Sequence, residues 1–339
     1  MRRFHCERCG SELHFTDARC ANCGTEIGYE PATLRLRALE AGASGTFSTV
    51  DRQQGYWRCL NAAWGCNWLV PAARGDVWCR SCRLTRGRPD TADPAAVQAW
   101  MSAEAAKRRV VHQLDGLGLP VQGRTTDSAQ GLVFDLVHVP GQSEVTGHRL
   151  GVITLDLTEA NDLHRAAMQT ALAESFRTLI GHLRHELGHY YMAELVRSPQ
   201  EHDEFRSLFG DERADYAGAL QRHYERPNGN WRADGFITSY AGAHPIEDWA
   251  ETFAHYLAIR DGVETMVEHG LRTGADAEPA ADWTGCVAAW QRVVQAMNAV
   301  AEGLGQPAVY PIELTMAVLA KLDYLDTCVR RYGQAGDAQ

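Results

Sequence analysis

Hydrophobic residues recur at helical spacing over most of the chain after residue 90, whereas the first quarter shows little of this periodicity. The pattern predicts helices at about 94–116, 164–196, 245–260, 282–302 and 311–332. Two β-rich runs, "GLVFDLVHVP" (131–140) and "RLGVITLDL" (149–157), flank a turn-like segment and predict paired strands. A mostly helical α+β protein with a small sheet is therefore expected.

The change in pattern coincides with a change in composition. Eight of the ten cysteines fall within residues 6–82. The linker-like run "RGRPDTADP" ends at Asp93 and Pro94, a typical helix cap followed by a first helical residue. We expect a zinc ribbon over 1–27, a second four-cysteine module over 28–90 and one larger domain over 91–335.

The N-terminal cysteines are expected to bind metal. The sequence has no apolar run long enough to span a membrane and no apolar segment behind its first arginines, which predicts a cytoplasmic protein. Thiols in that compartment stay reduced, so ten cysteines favour metal sites over disulfides.

Two sets of four cysteines match structural zinc sites, because neither leaves a coordination position for substrate. The first set, with two Cys-x-x-Cys turns, is Cys6, Cys9, Cys20 and Cys23. The second, with one such turn, is Cys59, Cys66, Cys79 and Cys82. Iron in the first site, and cross-pairing of Cys20 and Cys23 with Cys79 and Cys82, are alternatives.

The net charge of −10 is unevenly distributed. Residues 1–90 hold 13 Lys or Arg against 9 Asp or Glu, a net of +4, which leaves −14 for the remainder. Nucleic acid could therefore contact only the N-terminal module. The aromatic residues around the second cysteine set are expected to form its core, with a docking face for a protein or a single strand as the alternative. They are Tyr56, Trp57, Trp64, Trp68 and Trp78.

The stretch "HLRHELGHYY" (182–191) contains the spacing His-Glu-x-x-His. On a helix, His185 and His189 lie on one face and can bind one ion, while Glu186 projects beside it. A catalytic zinc commonly has three protein ligands and one water. Met192 and Leu195 exclude the metzincin continuation of the motif.

The third ligand must come from further along the chain. The candidates are Asp215, His223, His244, Glu247, Glu251 and His255. Glu247 and Glu251 are again four residues apart on a helix, so one could bind zinc while the other holds the outer nitrogen of a ligand histidine. This spacing resembles the gluzincin arrangement, which implies Glu247 as the zinc ligand and Glu251 as the residue that holds the histidine.

The runs "FGDERADYAGALQRHY" and "FITSYAGAHPIEDWAETFAHYL", together with "HELGHYY" and a zinc ribbon, resemble bacterial zinc-binding metallopeptidases of the Peptidase Mx type. The resemblance covers nearly the whole chain and implies a zincin-like fold. The interval from Tyr240 to Glu247 also resembles the catalytic domain of anthrax lethal factor, which implies that Tyr240 is an oxyanion or leaving-group donor.

The resemblance implies a zinc endopeptidase acting on intracellular proteins, with one catalytic and two structural zinc ions. Glu186 would be the general base, Tyr240 the oxyanion donor, and "VITLDL" (152–157) an edge strand for an extended peptide. The ribbon module would recruit a protein substrate or partner, without a membrane. The alternatives are a ribbon-containing regulator that binds protein or nucleic acid on a protease-like scaffold, and a zinc hydrolase of a non-peptide amide.

Overall fold

The computed structural model describes residues 2–51, 54–124, 131–138, 146–161, 178–226, 229–271, 283–310 and 312–336. The chain forms two compact units, Arg2–Asn161 and Asp162–Gln339. The three described sheets lie in the first unit, and the described part of the second unit is built from helices. The α+β class is thus confirmed, with the strands and most of the helices in separate units.

The first unit begins with two small antiparallel sheets. Strands β1 (Phe4–His5) and β2 (Glu12–Leu13) form a hairpin around the first two cysteines. A five-stranded sheet follows in chain order, β3 to β7. Its strands are Glu26–Glu30, Arg35–Ala41, Phe47–Thr49, Gly55–Arg58 and Leu69–Pro71. Of the predicted aromatic core, Tyr56 and Trp68 are buried, whereas Trp57, Trp64 and Trp78 are half-buried.

A third sheet and one helix complete the first unit. The helix α1 (Pro94–Gly116) follows strand β8 (Thr85–Gly87) and precedes the remaining strands. These are β9 (Val133–Val137), β10 (Gly147–Arg149) and β11 (Val152–Asp156). The order is β10-β11-β9-β8, with β9 parallel to both of its neighbours. The predicted pairing of the two β-rich runs is present as β9 and β11; residues 139–140 of the first run lie outside the described residues.

The prediction that "VITLDL" forms a sheet edge is wrong. Strand β11 lies between β10 and β9, so its backbone groups already face two neighbouring strands. A peptide could not add to it without displacing one of them. The two β-rich runs do not reveal this, because the short strand β10 begins within the segment that the sequence predicts to be a turn.

Helix α1 belongs to the first unit. It begins as predicted, with the Asp93 side chain accepting hydrogen bonds from the backbone N–H groups of Ala95 and Ala96. Its His112 Nδ1 lies 2.6 Å from the Tyr29 hydroxyl in β3, and its Arg108 donates to the Gly65 carbonyl. The predicted boundary at residue 90 therefore does not coincide with the division between the compact units at residue 161.

The second unit consists of helices over its described residues. They are α2 (Leu179–Leu195), α3 (Pro199–Phe209), α4 (Tyr216–Glu225), α5 (Pro245–Glu268), α6 (Trp283–Gly303) and α7 (Met316–Gly336). The predicted helix over 164–196 is present from residue 179, where Thr178 caps it; residues 164–177 lie outside the described part. None of the described helices is long and apolar enough to cross a lipid bilayer.

Helices α2 and α5 approach each other closely at Gly188. A Cβ atom at this position would lie 2.8 Å from the Ala250 Cα and 3.2 Å from the Phe253 Cβ. The indole N–H of Trp249 also donates to the Gly188 carbonyl, at 2.9 Å. Only glycine allows this contact, which brings the first turns of α5 beside the histidines of α2.

Candidate metal centres

The first four cysteines are presented by two turns of the same shape. In each turn the second cysteine is followed by a glycine with positive φ, Gly10 at 74° and Gly24 at 72°. The N–H of each glycine donates to the carbonyl of the first cysteine, Cys6 or Cys20. The shared geometry explains why "CERCG" and "CANCG" both end in glycine.

The sulfurs of the first set converge on one point. Cys6 Sγ lies 3.7 Å from Cys23 Sγ, and Cys9 Sγ lies 3.7 Å from Cys20 Sγ. A tetrahedral zinc with bonds of about 2.3 Å separates its sulfurs by about 3.8 Å, so the four positions fit such an ion. Cys9 and Cys23 are exposed, whereas Cys6 and Cys20 are buried.

The second set converges in the same way but inside the unit. Cys66 Sγ lies 3.7 Å from both Cys79 Sγ and Cys82 Sγ, and all four cysteines are buried. The Cys79 N–H donates to Cys59 Sγ at 3.3 Å. Burial raises the pKa of Cys79, so four thiolates could coexist here only around a cation. The cysteines group as predicted, and the cross-paired alternative is not what the structure contains.

Charged residues of α1 surround this buried set. Glu104 Oε2 lies 3.9 Å from Cys82 Sγ, while Lys107 Nζ lies 3.0 Å from Glu104 Oε1. Burial opposes the charge of Arg108, but the nearby thiolates and Glu104 raise its pKa above the ordinary value. Lys107 and Arg108 therefore offset the negative charge that a four-thiolate site places in the interior.

In the second unit, the predicted His-Glu-x-x-His residues lie on helix α2. His185 Nε2 and His189 Nε2 face the same point and are 3.2 Å apart. Glu247, in the first turn of α5, adds its Oε2 atom at 3.1 Å from His185 Nε2 and 3.5 Å from His189 Nε2. Glu247 is 1% exposed, and apart from the two histidines none of the described protein groups donates a hydrogen bond to its Oε2.

These three atoms fit a metal ion. A tetrahedral zinc with bonds of about 2.0–2.1 Å places its nitrogen and oxygen ligands about 3.3–3.4 Å apart. A carboxylate oxygen and two imidazole nitrogens that meet without a donor between them repel each other, unless a cation or a proton is present. In the metal-free protein the proton is favoured, because hydrogen bonds to Glu247 and Glu251 outweigh the opposing effect of burial and raise the pKa of His185.

Glu251 holds the outer nitrogen of His185. Its Oε1 lies 2.6 Å from His185 Nδ1, and its Oε2 accepts a hydrogen bond of 2.7 Å from the Thr238 hydroxyl. Burial would raise the pKa of Glu251, but the hydrogen bond to His185 lowers it to about 2. The carboxylate thus accepts the Nδ1 proton, which leaves the Nε2 lone pair of His185 free to bind an ion.

Glu186 lies beside the three converging atoms as a buried carboxylate. His182 Nε2 is 3.3 Å from its Oε1, and its Oε2 has no hydrogen-bond partner among the described protein groups. Burial would raise the pKa of Glu186, but His182 and the neighbouring histidines lower it below its ordinary value. Glu186 is therefore ionised at neutral pH and can accept a proton.

The remaining ligand candidates have other contacts. His244 caps α5: its Nδ1 accepts from the Ile246 N–H and its Nε2 donates to the Ala214 carbonyl. Asp215 caps α4 through the Gly218 N–H. His255 Nδ1 lies 2.8 Å from the Tyr310 hydroxyl, and the His223 ring packs edge-on against Tyr240. Of the candidates, Glu247 is the one that the structure brings to both histidines.

Tyr240 lies at the site, with its ring centroid 5.8 Å from that of His185. Burial and the charge of Glu247 raise the pKa of its hydroxyl, which therefore stays protonated and can donate. Two further residues at the site, Thr238 and Tyr216, were not predicted from the sequence. The Tyr216 hydroxyl donates to Glu247 Oε1 at 2.6 Å. In the sequence, Tyr216 could have been noticed because it directly follows the helix cap Asp215 within the run "FGDERADYAGALQRHY".

With this geometry in hand, comparison with known proteins identifies the family. Residues 96–328 match the family described as "Putative zinc-binding metallo-peptidase", and residues 3–93 match a zinc-ribbon domain. The chain belongs to this metallopeptidase family. Two relatives described as uncharacterized proteins, from Mycobacterium bovis and Mycobacterium tuberculosis, are 39% identical over 337 residues, 97% of this chain and 95% of each relative. No solved structure matches the chain.

The family match and the structure divide the metallopeptidase differently. The match begins at residue 96, two residues into helix α1. This helix and the following strands are part of the compact unit that also contains the zinc ribbon. The sequence family thus extends over portions of both units, while the described His185, His189 and Glu247 all lie in the second.

Proposed function

We propose that this metallopeptidase is a zinc-dependent endopeptidase that hydrolyses peptide bonds of protein substrates. The observation that carries the proposal is the convergence of His185 Nε2, His189 Nε2 and Glu247 Oε2, which lie 3.1–3.5 Å from one another. These residues would hold the zinc. When bound, zinc lowers the pKa of a water molecule and polarises a carbonyl group.

Glu186 acts as the general base in this proposal. Its buried, ionised carboxylate has one oxygen without a hydrogen-bond partner among the described groups, and this oxygen can take a proton from the attacking water. The protonated carboxyl can then give the proton to the departing amine. The His182 contact on the other oxygen fixes the orientation of the side chain during both transfers.

Tyr240 supplies the oxyanion donor. Its hydroxyl stays protonated at neutral pH, and its ring lies against His185 at the site. A hydroxyl donor directed at the tetrahedral oxyanion stabilises the transition state more than the ground state, because the negative charge on oxygen develops only during attack. This role follows from the resemblance and is supported by the position of the ring.

The two four-cysteine sets would hold structural zinc, which gives three zinc ions per chain. We propose that the unit containing them recruits a protein substrate or partner in the cytoplasm. Nucleic acid is less well supported because three arginines near the second cysteine set, Arg58, Arg80 and Arg83, pair with acidic residues of the same unit. Phosphate binding requires unpaired positive charge.

The test compares three variants of the full chain. Glu186→Gln should keep all three zinc ions and lose about 10²- to 10⁴-fold in kcat, the range for removing a general base. Glu247→Ala should lose one zinc ion and the activity. The control Glu194→Gln changes the same residue type on the same helix, where it pairs with Arg197, and should behave as wild type.

Substrates would be found by comparing new protein termini in cells that express wild type or Glu186→Gln. Termini that appear with wild type alone support an endopeptidase. If the wild-type chain holds the third zinc but generates no new termini and cleaves no peptide, the protease proposal fails. A regulator with a protease-like scaffold, or a hydrolase of a non-peptide amide, would then be favoured.

A further inference from the structure

We propose that Tyr216 is a positioning residue that fixes Glu247 as a one-oxygen zinc ligand. The inference rests on the zinc site proposed above and adds a residue that the family resemblance did not implicate. Its basis is the 2.6 Å hydrogen bond from the Tyr216 hydroxyl to Glu247 Oε1, the oxygen that faces away from the histidines.

The two oxygens of Glu247 have separate environments. Oε2 lies 3.1 Å from His185 Nε2 and 3.5 Å from His189 Nε2, whereas Oε1 accepts the tyrosine hydrogen bond. A carboxylate can bind zinc through one oxygen or through both. The hydrogen bond occupies Oε1 and opposes rotation of the carboxylate about its terminal bond, so Oε2 stays directed at the point that the histidines face.

Tyr216 is itself held in place. Its ring packs edge-on against the His244 ring, with centroids 5.1 Å apart. His244 joins the two helices: its Nδ1 accepts from the Ile246 N–H at the start of α5, and its Nε2 donates to the Ala214 carbonyl just before α4. The start of α4, which carries Tyr216, is thereby tied to the start of α5, which carries Glu247.

The arrangement is complementary to that of Glu251. Glu251 fixes His185 through the ring nitrogen that does not face the site, and Tyr216 fixes Glu247 through the oxygen that does not face it. Each contact orients a proposed zinc ligand through the atom that faces away from the site. Neither Glu251 nor Tyr216 reaches the ion position itself. Tyr216 is also 41% exposed, so its hydroxyl could be removed with little effect on packing.

The test is the zinc affinity of the full-length Tyr216→Phe variant. Removal of an orienting hydrogen bond to a ligand commonly lowers metal affinity by about 10- to 100-fold. Zinc alone is the probe. The zinc ion of the histidine–glutamate site is first withdrawn, and zinc is then added back in competition with a chelator of moderate strength. Tyr332→Phe, on helix α7 of the same unit, is the control and should bind zinc as wild type does, because its ring packs against Arg197 rather than against the histidine–glutamate site.

A second readout separates positioning from catalysis. Excess zinc should restore kcat and KM of Tyr216→Phe to within a few-fold of wild type, because the catalytic groups are unchanged. Tyr240→Phe should bind zinc normally, and its kcat should not recover with excess zinc. Thermal unfolding and circular dichroism of the metal-free Tyr216→Phe variant should show that it is still folded, with a loss of stability of no more than about 1–3 kcal/mol from the missing hydrogen bond.

Two results would overturn the inference in different ways. If wild type holds the third zinc and Tyr216→Phe binds it with equal affinity, Tyr216 does not position Glu247, although the proposed function stands. If wild type holds no third zinc, the proposed function fails and the inference fails with it. A kcat deficit in Tyr216→Phe that excess zinc does not restore would instead place Tyr216 among the catalytic residues.

Discussion

The four-cysteine sets and the histidine–glutamate site arrange their candidate metal ligands in different ways. Each cysteine set offers four donors from turns and 3₁₀ segments, which completes a tetrahedral site. The other site offers three donors from two helices, and side chains behind them hold His185 and Glu247 in orientation. Under the proposed function, each cysteine set would complete the coordination of its ion, whereas the histidine–glutamate site would leave one position open and depend on side chains that orient its ligands.

The two cysteine sets also differ from each other. The first exposes Cys9 and Cys23 to solvent, while the second is buried beneath α1. A buried metal site is part of a hydrophobic core, so its loss affects everything packed around it. An exposed site holds together mainly its own two turns. We therefore expect unequal consequences when either is broken.

The largest effect is expected for Cys79→Ala in the buried set. Loss of this ligand should remove one zinc and unfold much of the first unit, since structural zinc binding contributes on the order of 10 kcal/mol. Cys9→Ala should also remove one zinc but leave α1 and the five-stranded sheet folded. Zinc content and circular dichroism of both variants measure the difference. Equal unfolding in the two variants would contradict the comparison.

Tyr240→Phe tests the oxyanion donor at the histidine–glutamate site. Zinc binding should be unchanged, because the hydroxyl is not a ligand, while kcat falls by roughly 10²- to 10³-fold, the scale for removing one such donor. Steady-state kinetics on a cleaved peptide, combined with zinc analysis, provides the measurement. An unchanged kcat would assign the oxyanion to another donor.

Gly188→Ala tests the close approach of α2 and α5. The added Cβ would overlap the Ala250 backbone, so we expect a loss of about 1–3 kcal/mol in stability and weaker zinc binding as Glu247 moves away from the histidines. Thermal unfolding and zinc competition measure both effects. Gly229→Ala is the control, because nothing lies within 4 Å of a Cβ there. Equal behaviour of the two variants would show that the helices can separate without cost.

The smallest effect is a pH dependence of zinc binding at the histidine–glutamate site. Without metal, the pKa of His185 lies above its usual value, so a proton occupies the imidazole at neutral pH and zinc must displace it. Affinity should therefore rise with pH, by about tenfold per unit for one released proton. Competition titrations at three values between pH 6 and 8 measure the slope. An affinity that is constant over this range would mean that no proton is displaced.

Features that depend on residues close together in the chain were predictable from the sequence. Helical periodicity alone places His185 with His189, and Glu247 with Glu251. The Cys-x-x-Cys turns fold within a few residues and were predictable as metal-binding turns, whereas spacing left open which turns share an ion. The start of α1 was predictable because its cap and its proline are adjacent in the chain.

The parts that depend on distant contacts were not predictable. Tyr216 and Glu247 are 31 residues apart, and nothing in the sequence of either segment predicts a contact with the other. The packing of helix α1 within the first unit was likewise not expected, because nothing in the sequence marks Glu104, Lys107 and His112 as buried, yet all three are. Their partners, Thr85 and Tyr29, lie in strands that precede the helix.

Because α1 belongs to the first unit, the zinc ribbon and the metallopeptidase segment are difficult to separate by gene fusion during evolution. A gene fusion that joined residues 96–328 to a different N-terminal domain would carry this helix without the residues that cover its charged side chains. The ribbon and the metallopeptidase segment are therefore poor units of recombination, although they match separate families. We expect them to be transmitted together, as in the mycobacterial relatives that align with 97% of this chain.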